Sequence, residues 1–277
     1  RRGTLRGMLR RPAHGLALPG RGANMSAWTT EAFDKWYLRV YPHRNEAEAS
    51  ALVATLNAEA PLAGKRILDA GCGAGRHLGA FSACGAVPVG LDLSPALLEE
   101  AEHTRAACAG DWKLVQGDLR SLPFPASSFD GVVSLFTTFG YLSEGEDRLA
   151  LSEAARVLRP GGFHLLDFLN ADRVRAALVA DGERAESGIR IRERRRLIED
   201  ARRVAKRVTI HDAEDPHGAP LADYEERVTL YAPEELCEML REAGFRIAKQ
   251  WGEYDGAPFD AAASSRCIVL AFREDAL

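Results

Sequence analysis

Between Arg66 and Phe272 the chain alternates short apolar runs with segments whose apolar residues recur every three or four positions. That rhythm is expected of strands laid side by side with helices packed on them. Arg66–Asp69, Val87–Leu91, Lys113–Gln116, Phe129–Leu135 and Phe163–Phe168 read as strands. Between them, a helix follows the glycines after Asp69 and runs to about Cys84. Ser94 before Pro95 forms an N-cap with proline at the first helical position, so a second helix spans Pro95–Ala107. A third, Glu146–Leu158, is stopped by Arg159-Pro160-Gly161-Gly162. The pattern predicts an α/β fold, Rossmann-like and doubly wound, with a mostly parallel seven-stranded sheet.

Two segments depart from this rhythm. From Thr30 to Ala60 the apolar spacing predicts two helices interrupted at Tyr41-Pro42, an N-terminal helical cap. After Asn170 a short helix is followed by Ile189–Ile198, Arg203–Ile210 and Tyr224–Tyr231, strand-type runs that predict an antiparallel β insertion after the fifth strand. Pro233–Ala243 returns as a helix ended by Gly244, and Phe245–Trp251 and Arg266–Phe272 close the sheet as an antiparallel pair. The chain accordingly divides into a basic leader (1–24), a helical cap (25–64), a Rossmann-like core (65–170), the β insertion (171–232) as a lid or dimer contact, and the rest of the core (233–277).

Composition narrows the class. A chain of 277 residues with 46% hydrophobic content can fill a sizeable core, and a formal charge of -4 argues against whole-surface attraction to nucleic acid or membrane. Five scattered cysteines form no C-x-x-C pair, which points away from zinc and disulfides and toward a reducing, cytoplasmic compartment; no metal is expected. No apolar run approaches the roughly 20 residues of a spanning helix. Residues 1–24 hold six arginines and no acid, a composition that buries little and reads as a disordered leader, a targeting segment, or translated sequence ahead of Met25.

The chemistry concentrates in Ile67-Leu68-Asp69-Ala70-Gly71-Cys72-Gly73-Ala74-Gly75-Arg76-His77. Alternating glycines at 71, 73 and 75 let the backbone turn at a strand end and approach a ligand closely. A dinucleotide site spaced G-x-G-x-x-G would need a third glycine at 76, where Arg76 stands. A carboxylate at Asp69 would repel a pyrophosphate and attract an ammonium. S-adenosylmethionine supplies that ammonium, and its carboxylate can take backbone N–H groups at the following helix start. Asp92, seventeen residues past Gly75, is placed to accept the ribose hydroxyls, and Asp118 the adenine amino group, with Leu119 packing on the ring.

These segments resemble the class I S-adenosylmethionine methyltransferases over residues 30–273, through Asp-Ala-Gly-Cys-Gly-Ala-Gly-Arg, Gly-Leu-Asp-Leu-Ser, Gln-Gly-Asp-Leu, Phe-Asp-Gly-Val-Val-Ser and Leu-Arg-Pro-Gly-Gly. Thr-Thr-Phe-Gly-Tyr-Leu after the fourth strand and the strand-rich insertion are similar to bacterial small-molecule methyltransferases, including amino-sugar N-methyltransferases. The resemblance implies transfer of a methyl group from S-adenosylmethionine to an N or O atom of a small molecule, releasing S-adenosylhomocysteine. Cofactor contacts are expected from Asp69, Gly71, Cys72, Gly73, Gly75, Asp92, Leu93, Asp118, Leu119 and Phe136.

Ligands of open α/β sheets bind beyond the carboxyl ends of the strands. That rule selects Tyr141 and Asp167 as catalytic candidates, and Thr137 and Asn170 facing the substrate. The cap adds Trp36, Tyr37, His43 and Arg44, and the insertion Tyr224 and Arg227; any of these could instead be packing or capping residues. His77 reads equally as a site residue and as a packed helix-start residue. Ten Lys/Arg against five Asp/Glu between Glu183 and Arg207 would suit an RNA-directed enzyme, but Ile189, Ile191 and Leu197 alternate with charges there as in a half-exposed strand, which could also pair with a second subunit. A nucleotide-linked oxidoreductase and a non-catalytic cofactor-binding module are the remaining alternatives.

Overall fold

The computed structural model describes residues 36–41, 46–107, 110–216 and 218–274. The leader, His43 and Arg44 lie outside the described residues. In chain order the elements are α1 (Tyr37–Val40), α2 (Glu46–Glu59), β1 (Arg66–Ala70), α3 (Arg76–Ala83), β2 (Val87–Asp92), α4 (Pro95–Ala107), β3 (Lys113–Gln116), β4 (Phe129–Ser134), α5 (Glu144–Val157) and β5 (Leu158–Leu169). There follow α6 (Ala171–Ala176), β6 (Asp181–Glu186), β7 (Ile189–Ile198), β8 (Arg203–Asp212), β9 (Ala222–Thr229), α7 (Pro233–Glu242), β10 (Phe245–Trp251) and β11 (Arg266–Arg273).

Seven strands form one sheet in the order β10-β11-β5-β4-β1-β2-β3, in which β11 is the one reversed strand, antiparallel to both β10 and β5. The order reverses between β1 and β4, so the carboxyl ends of these two strands flank a crevice. Their apolar runs are continuous because both faces are covered. Leu68, Val132 and Leu166 meet α5 and α7 through Leu151, Val157, Leu236 and Leu240, while Ile67, Val133 and Leu165 meet Leu52 and Leu56 of α2 and Phe81 of α3. Each such side chain contributes about 1.5–3 kcal/mol by burial.

The expected helix stop at Arg159–Gly162 is drawn into β5. Leu158 pairs with Phe129, and the register then slips so that Phe163 pairs with Gly131, with Gly161 at φ 72° absorbing the irregularity.

The insertion is a separate four-stranded antiparallel sheet, β6-β7-β8-β9. Its first strand, Asp-Gly-Glu-Arg-Ala-Glu, has no β-branched or aromatic residue and was not expected; it exists because a Ser187-Gly188 turn, both residues at positive φ, folds it back onto β7. One face of the sheet buries Ile189, Ile191, Val208, Ile210 and Tyr224 against Val40, Trp36 and Tyr41 of the cap. The other carries the basic stretch, where acids answer the arginines: Glu183 pairs with Arg190 and Arg192 of the adjacent β7, Asp223 with Arg207 of the adjacent β8, and Glu225 with Arg227 of its own strand and with Arg196 across β8.

Among the described residues no helix is long and apolar enough to cross a membrane.

Candidate active site

A cavity of about 910 Å³ opens at the crevice beyond β1, β2 and β4, and the cap covers part of it. Its floor is the loop between β1 and α3. The amides of Gly71 and Cys72 both donate to the Leu91 carbonyl of β2, at 2.7 and 2.9 Å, which fixes the turn against the neighbouring strand. A Cβ on Gly71, at φ 89°, would stand 2.2 Å from Thr138 Cγ2, so this glycine is demanded by packing. A Cβ on Gly73 would meet nothing within 4 Å, because that residue faces the open cavity. Gly75 does not line the cavity; it admits Ala101 of α4 at 3.2 Å from where its Cβ would be.

Three carboxylates surround the loop in different states. Asp92 accepts from the Gly73 amide at 2.8 Å and from the Ser94 amide at 2.9 Å, leaving further lone pairs toward the cavity that it lines. Burial pushes its carboxyl above the ordinary range, partly offset by those amides. Asp69 lies beneath the wall, 1% exposed, with neither oxygen hydrogen-bonded and the nearer one 4.0 Å from Nδ1 of His77, which does line the cavity. Desolvation lifts the Asp69 carboxyl to about 7, against the pull of Arg76. Asp118 lines the cavity but is held by Arg120, whose side chain and amide both bond it; burial raises its carboxyl, and Arg120 more than reverses the effect.

The opposite wall begins where β4 ends. Phe136 and Thr137 both adopt left-handed backbone, φ 57° and 62°, which costs non-glycine residues about 1–2 kcal/mol each. They are held there by Asp167, which accepts from the Phe136 amide at 2.8 Å and, through its carbonyl, from the Thr137 amide at 3.0 Å. Tyr37, Tyr41 and Tyr141 complete an aromatic lining, and the Tyr41 hydroxyl donates to Glu226 of the insertion at 3.0 Å.

Among the sequence-selected residues, the fold gathers Tyr37, Gly71, Cys72, Gly73, Asp92, Leu93, Asp118, Leu119, Phe136, Thr137 and Tyr141 around this one cavity. Others are placed elsewhere. Asp167, fully buried, accepts from Phe136, Arg266 and Tyr254 and does not line the cavity, so no lone oxygen of it faces a substrate. Asn170 caps α6 through the amides of Asp172 and Arg173 and ties down the carbonyls of Ala261 and Ser264. Tyr224 is packed in the interior of the cap–insertion contact, and Arg227 pairs with Glu225 on the outer face.

Sequence reasoning passed over Tyr41, Glu46, Arg76 and Thr138, which line the cavity, and Tyr254 and Arg266 behind it. Tyr41 was detectable, since it follows Tyr37 by one helical turn. Arg266 and Tyr254 carry no local signal.

A doubly wound sheet with one reversed strand, a glycine turn at its switch point and carboxylates at the ends of β1 and β2 defines an α/β enzyme built for an adenosyl cofactor. The methyltransferase-domain family matches residues 67–162. The cypemycin N-terminal methyltransferase of a Streptomyces species is 31% identical over 240 residues, covering 80% of this chain and 89% of that protein. A demethylmenaquinone methyltransferase of Clavibacter sepedonicus is 43% identical over 112 residues, covering 40% of this chain and 43% of that protein. Among solved structures, the CcbJ methyltransferase of Streptomyces caelestis superposes with a TM-score of 0.74 at 21% identity, over 89% of this chain and 99% of that one. The S-adenosylmethionine-bound amino pentose methyltransferase of Micromonospora echinaspora gives 0.64 at 26% identity, over 86% and 97%. The chain belongs to the S-adenosylmethionine-dependent methyltransferase family, and its cofactor is S-adenosylmethionine.

The site suits that cofactor on its own terms. A buried carboxyl without a hydrogen-bond partner lies under the glycine loop, open space stands over Gly73, and Asp92 retains acceptor capacity at the cavity edge.

Proposed function

We propose that this enzyme methylates an amine nitrogen of a small molecule or peptide end, in the cavity between the glycine loop and the aromatic wall. The observation that carries the reading is that wall. Tyr37, Tyr41, Phe136 and Tyr141 present apolar ring surface with only hydroxyl groups for polarity, and Asp167, the carboxylate selected as a catalytic candidate, is fully engaged elsewhere. An amine delivered neutral needs alignment and a nearby proton acceptor rather than a strong base, which a hydroxyl or carbon acceptor would require. The end-to-end similarity to an N-terminal methyltransferase and to an amino pentose methyltransferase supports the same reading.

When bound, S-adenosylmethionine supplies a methyl group on a sulfonium, open to in-line displacement. Asp92 would hold the ribose hydroxyls, Leu119 and Leu93 would sandwich the adenine, and the open backbone at Gly73 would lie against the methionine end, whose carboxylate would face the start of α3. Asp69, acting with His77, would offset the ammonium charge. Asp118 would meet the adenine amino group only through the lone pairs that Arg120 leaves. Tyr37 and Tyr141 would exclude water and align the acceptor, with the cap and insertion forming the cover.

Calorimetric titration with S-adenosylmethionine, followed by methyl transfer assays on free peptide N-termini, amino sugars, phenols and carboxylates, tests this. Turnover confined to the amines is expected; turnover on phenols or carboxylates alone would overturn it.

A further inference from the structure

Behind the aromatic wall, three residues far apart in sequence converge on the strained turn. Asp167 lies near the end of β5, Arg266 opens β11, and Tyr254 belongs to the loop between β10 and β11. Asp167 Oδ2 accepts from the Phe136 amide at 2.8 Å and from the Tyr254 hydroxyl at 2.9 Å, while Oδ1 accepts from Arg266 Nε at 2.7 Å. The second arm of the guanidinium, Nη2, donates to Thr137 Oγ1 at 3.0 Å. The Arg266 guanidinium also sits 5.1 Å from the Phe136 ring centre, and Arg76 sits 5.2 Å from it.

A buried ion pair is a poor source of stability, because desolvating both charges consumes most of the attraction, and apolar replacements are often neutral or better. What such a pair does supply is direction. Here the brace meets the turn at three points, Asp167 Oδ2 at the Phe136 amide and the Asp167 carbonyl and Arg266 Nη2 at Thr137; both of these residues are in a backbone conformation that side chains disfavour, and both line the cavity.

We propose that Asp167, Arg266 and Tyr254 are positioning residues for methyl transfer, a buried brace that holds Phe136 and Thr137 in left-handed backbone and so fixes the wall against which the acceptor is aligned. The inference rests on the reading that transfer takes place in this cavity. Misalignment by about 1 Å at a reacting centre can cost on the order of a hundredfold in rate. Of the expected cofactor contacts the brace touches Phe136 and neither the glycine loop nor Asp92, so losing part of it affects turnover far more than cofactor affinity.

The test compares wild type with Tyr254→Phe, which removes one hydrogen bond without a charge, and with Arg266→Lys, which keeps the charge but cannot reach Asp167 and Thr137 together. Measurements are amide hydrogen exchange at Phe136 and Thr137, S-adenosylhomocysteine affinity, melting temperature, and kcat and KM with a peptide bearing a free N-terminal alanine. Faster exchange at both amides, with kcat reduced about tenfold or more and S-adenosylhomocysteine affinity within about twofold of wild type, is expected. Unchanged kcat despite faster exchange, or a kcat loss that follows lost cofactor binding or folded fraction, would overturn the proposal. If wild type methylates no amine, the acceptor reading fails by itself. The brace is then judged by sinefungin, whose amine occupies the methyl position: its affinity relative to S-adenosylhomocysteine shifts in both variants if the wall has moved, and an unshifted ratio would count against the brace.

Discussion

The amide of Gly73 donates to Asp92 Oδ2 at 2.8 Å, so the loop after β1 and the acid that ends β2 are one unit across nineteen residues of sequence. The acid holds the loop open, and the loop in turn orients the acid toward the cavity. Damage to either should therefore appear in cofactor binding before it appears in the fold.

Asp92→Ala removes two acceptors of buried amides and the oxygens offered to the ribose. A loss of about 1.5–3 kcal/mol, roughly tenfold to a hundredfold in S-adenosylmethionine affinity, is expected from charged hydrogen bonds of this kind. Isothermal titration measures it, and affinity within about twofold of wild type would contradict the assignment.

Alanine at positions 71 and 73 should act differently. Gly71→Ala drives a methyl into Thr138 in a left-handed backbone, and destabilisation of about 2–5 kcal/mol is expected, read as a lower denaturation midpoint. Gly73→Ala meets open space and should cost only about 1–2 kcal/mol of backbone strain, yet it fills the surface where the cofactor lies. Equal losses of stability in the two variants would refute this division.

The Asp69 carboxyl stands at about 7 in the fold against an ordinary value of 3.8. The folded state binds this proton more tightly than the unfolded chain, so this group's contribution to stability falls as pH rises from about 4 to about 7 and is lowest above 7. Asp69→Asn, lacking that charge, should stabilise the ligand-free protein at pH 8 by as much as about 4 kcal/mol, with the gain shrinking toward pH 4. Urea denaturation of both proteins across that range checks the sign; a gain that grew on acidification would be incompatible with a buried, desolvated carboxyl.

On the outer face of the insertion, arginines are answered by Glu183, Asp223 and Glu225. No saturable binding to a short single-stranded RNA is expected below about 100 µM at physiological salt, the weak end of ordinary non-specific affinity. Fluorescence anisotropy titration decides this, and tight, salt-sensitive binding would restore the RNA-directed alternative.

What could be read from the chain were features with a local physical cause. The apolar runs at Ile67–Leu68, Val132–Val133 and Leu165–Leu166 announce strands covered on both faces, the Ser94-Pro95 cap fixes where α4 begins, and three alternating glycines beside Asp69 mark a close approach to a ligand. Each depends on neighbours within one turn or one strand, which is why the mostly parallel sheet, cofactor class and much of the cavity wall followed. Strand β6 escaped because its residues have no intrinsic strand preference and pair only once β7 is present. The roles of Asp167, Asn170 and Arg266 belonged to the tertiary structure alone: a carboxylate at a strand end looks the same in sequence whether it faces a substrate or braces a turn. Here Arg266 and Tyr254, brought from the far end of the chain by the reversed strand β11 and the loop before it, turned Asp167 inward.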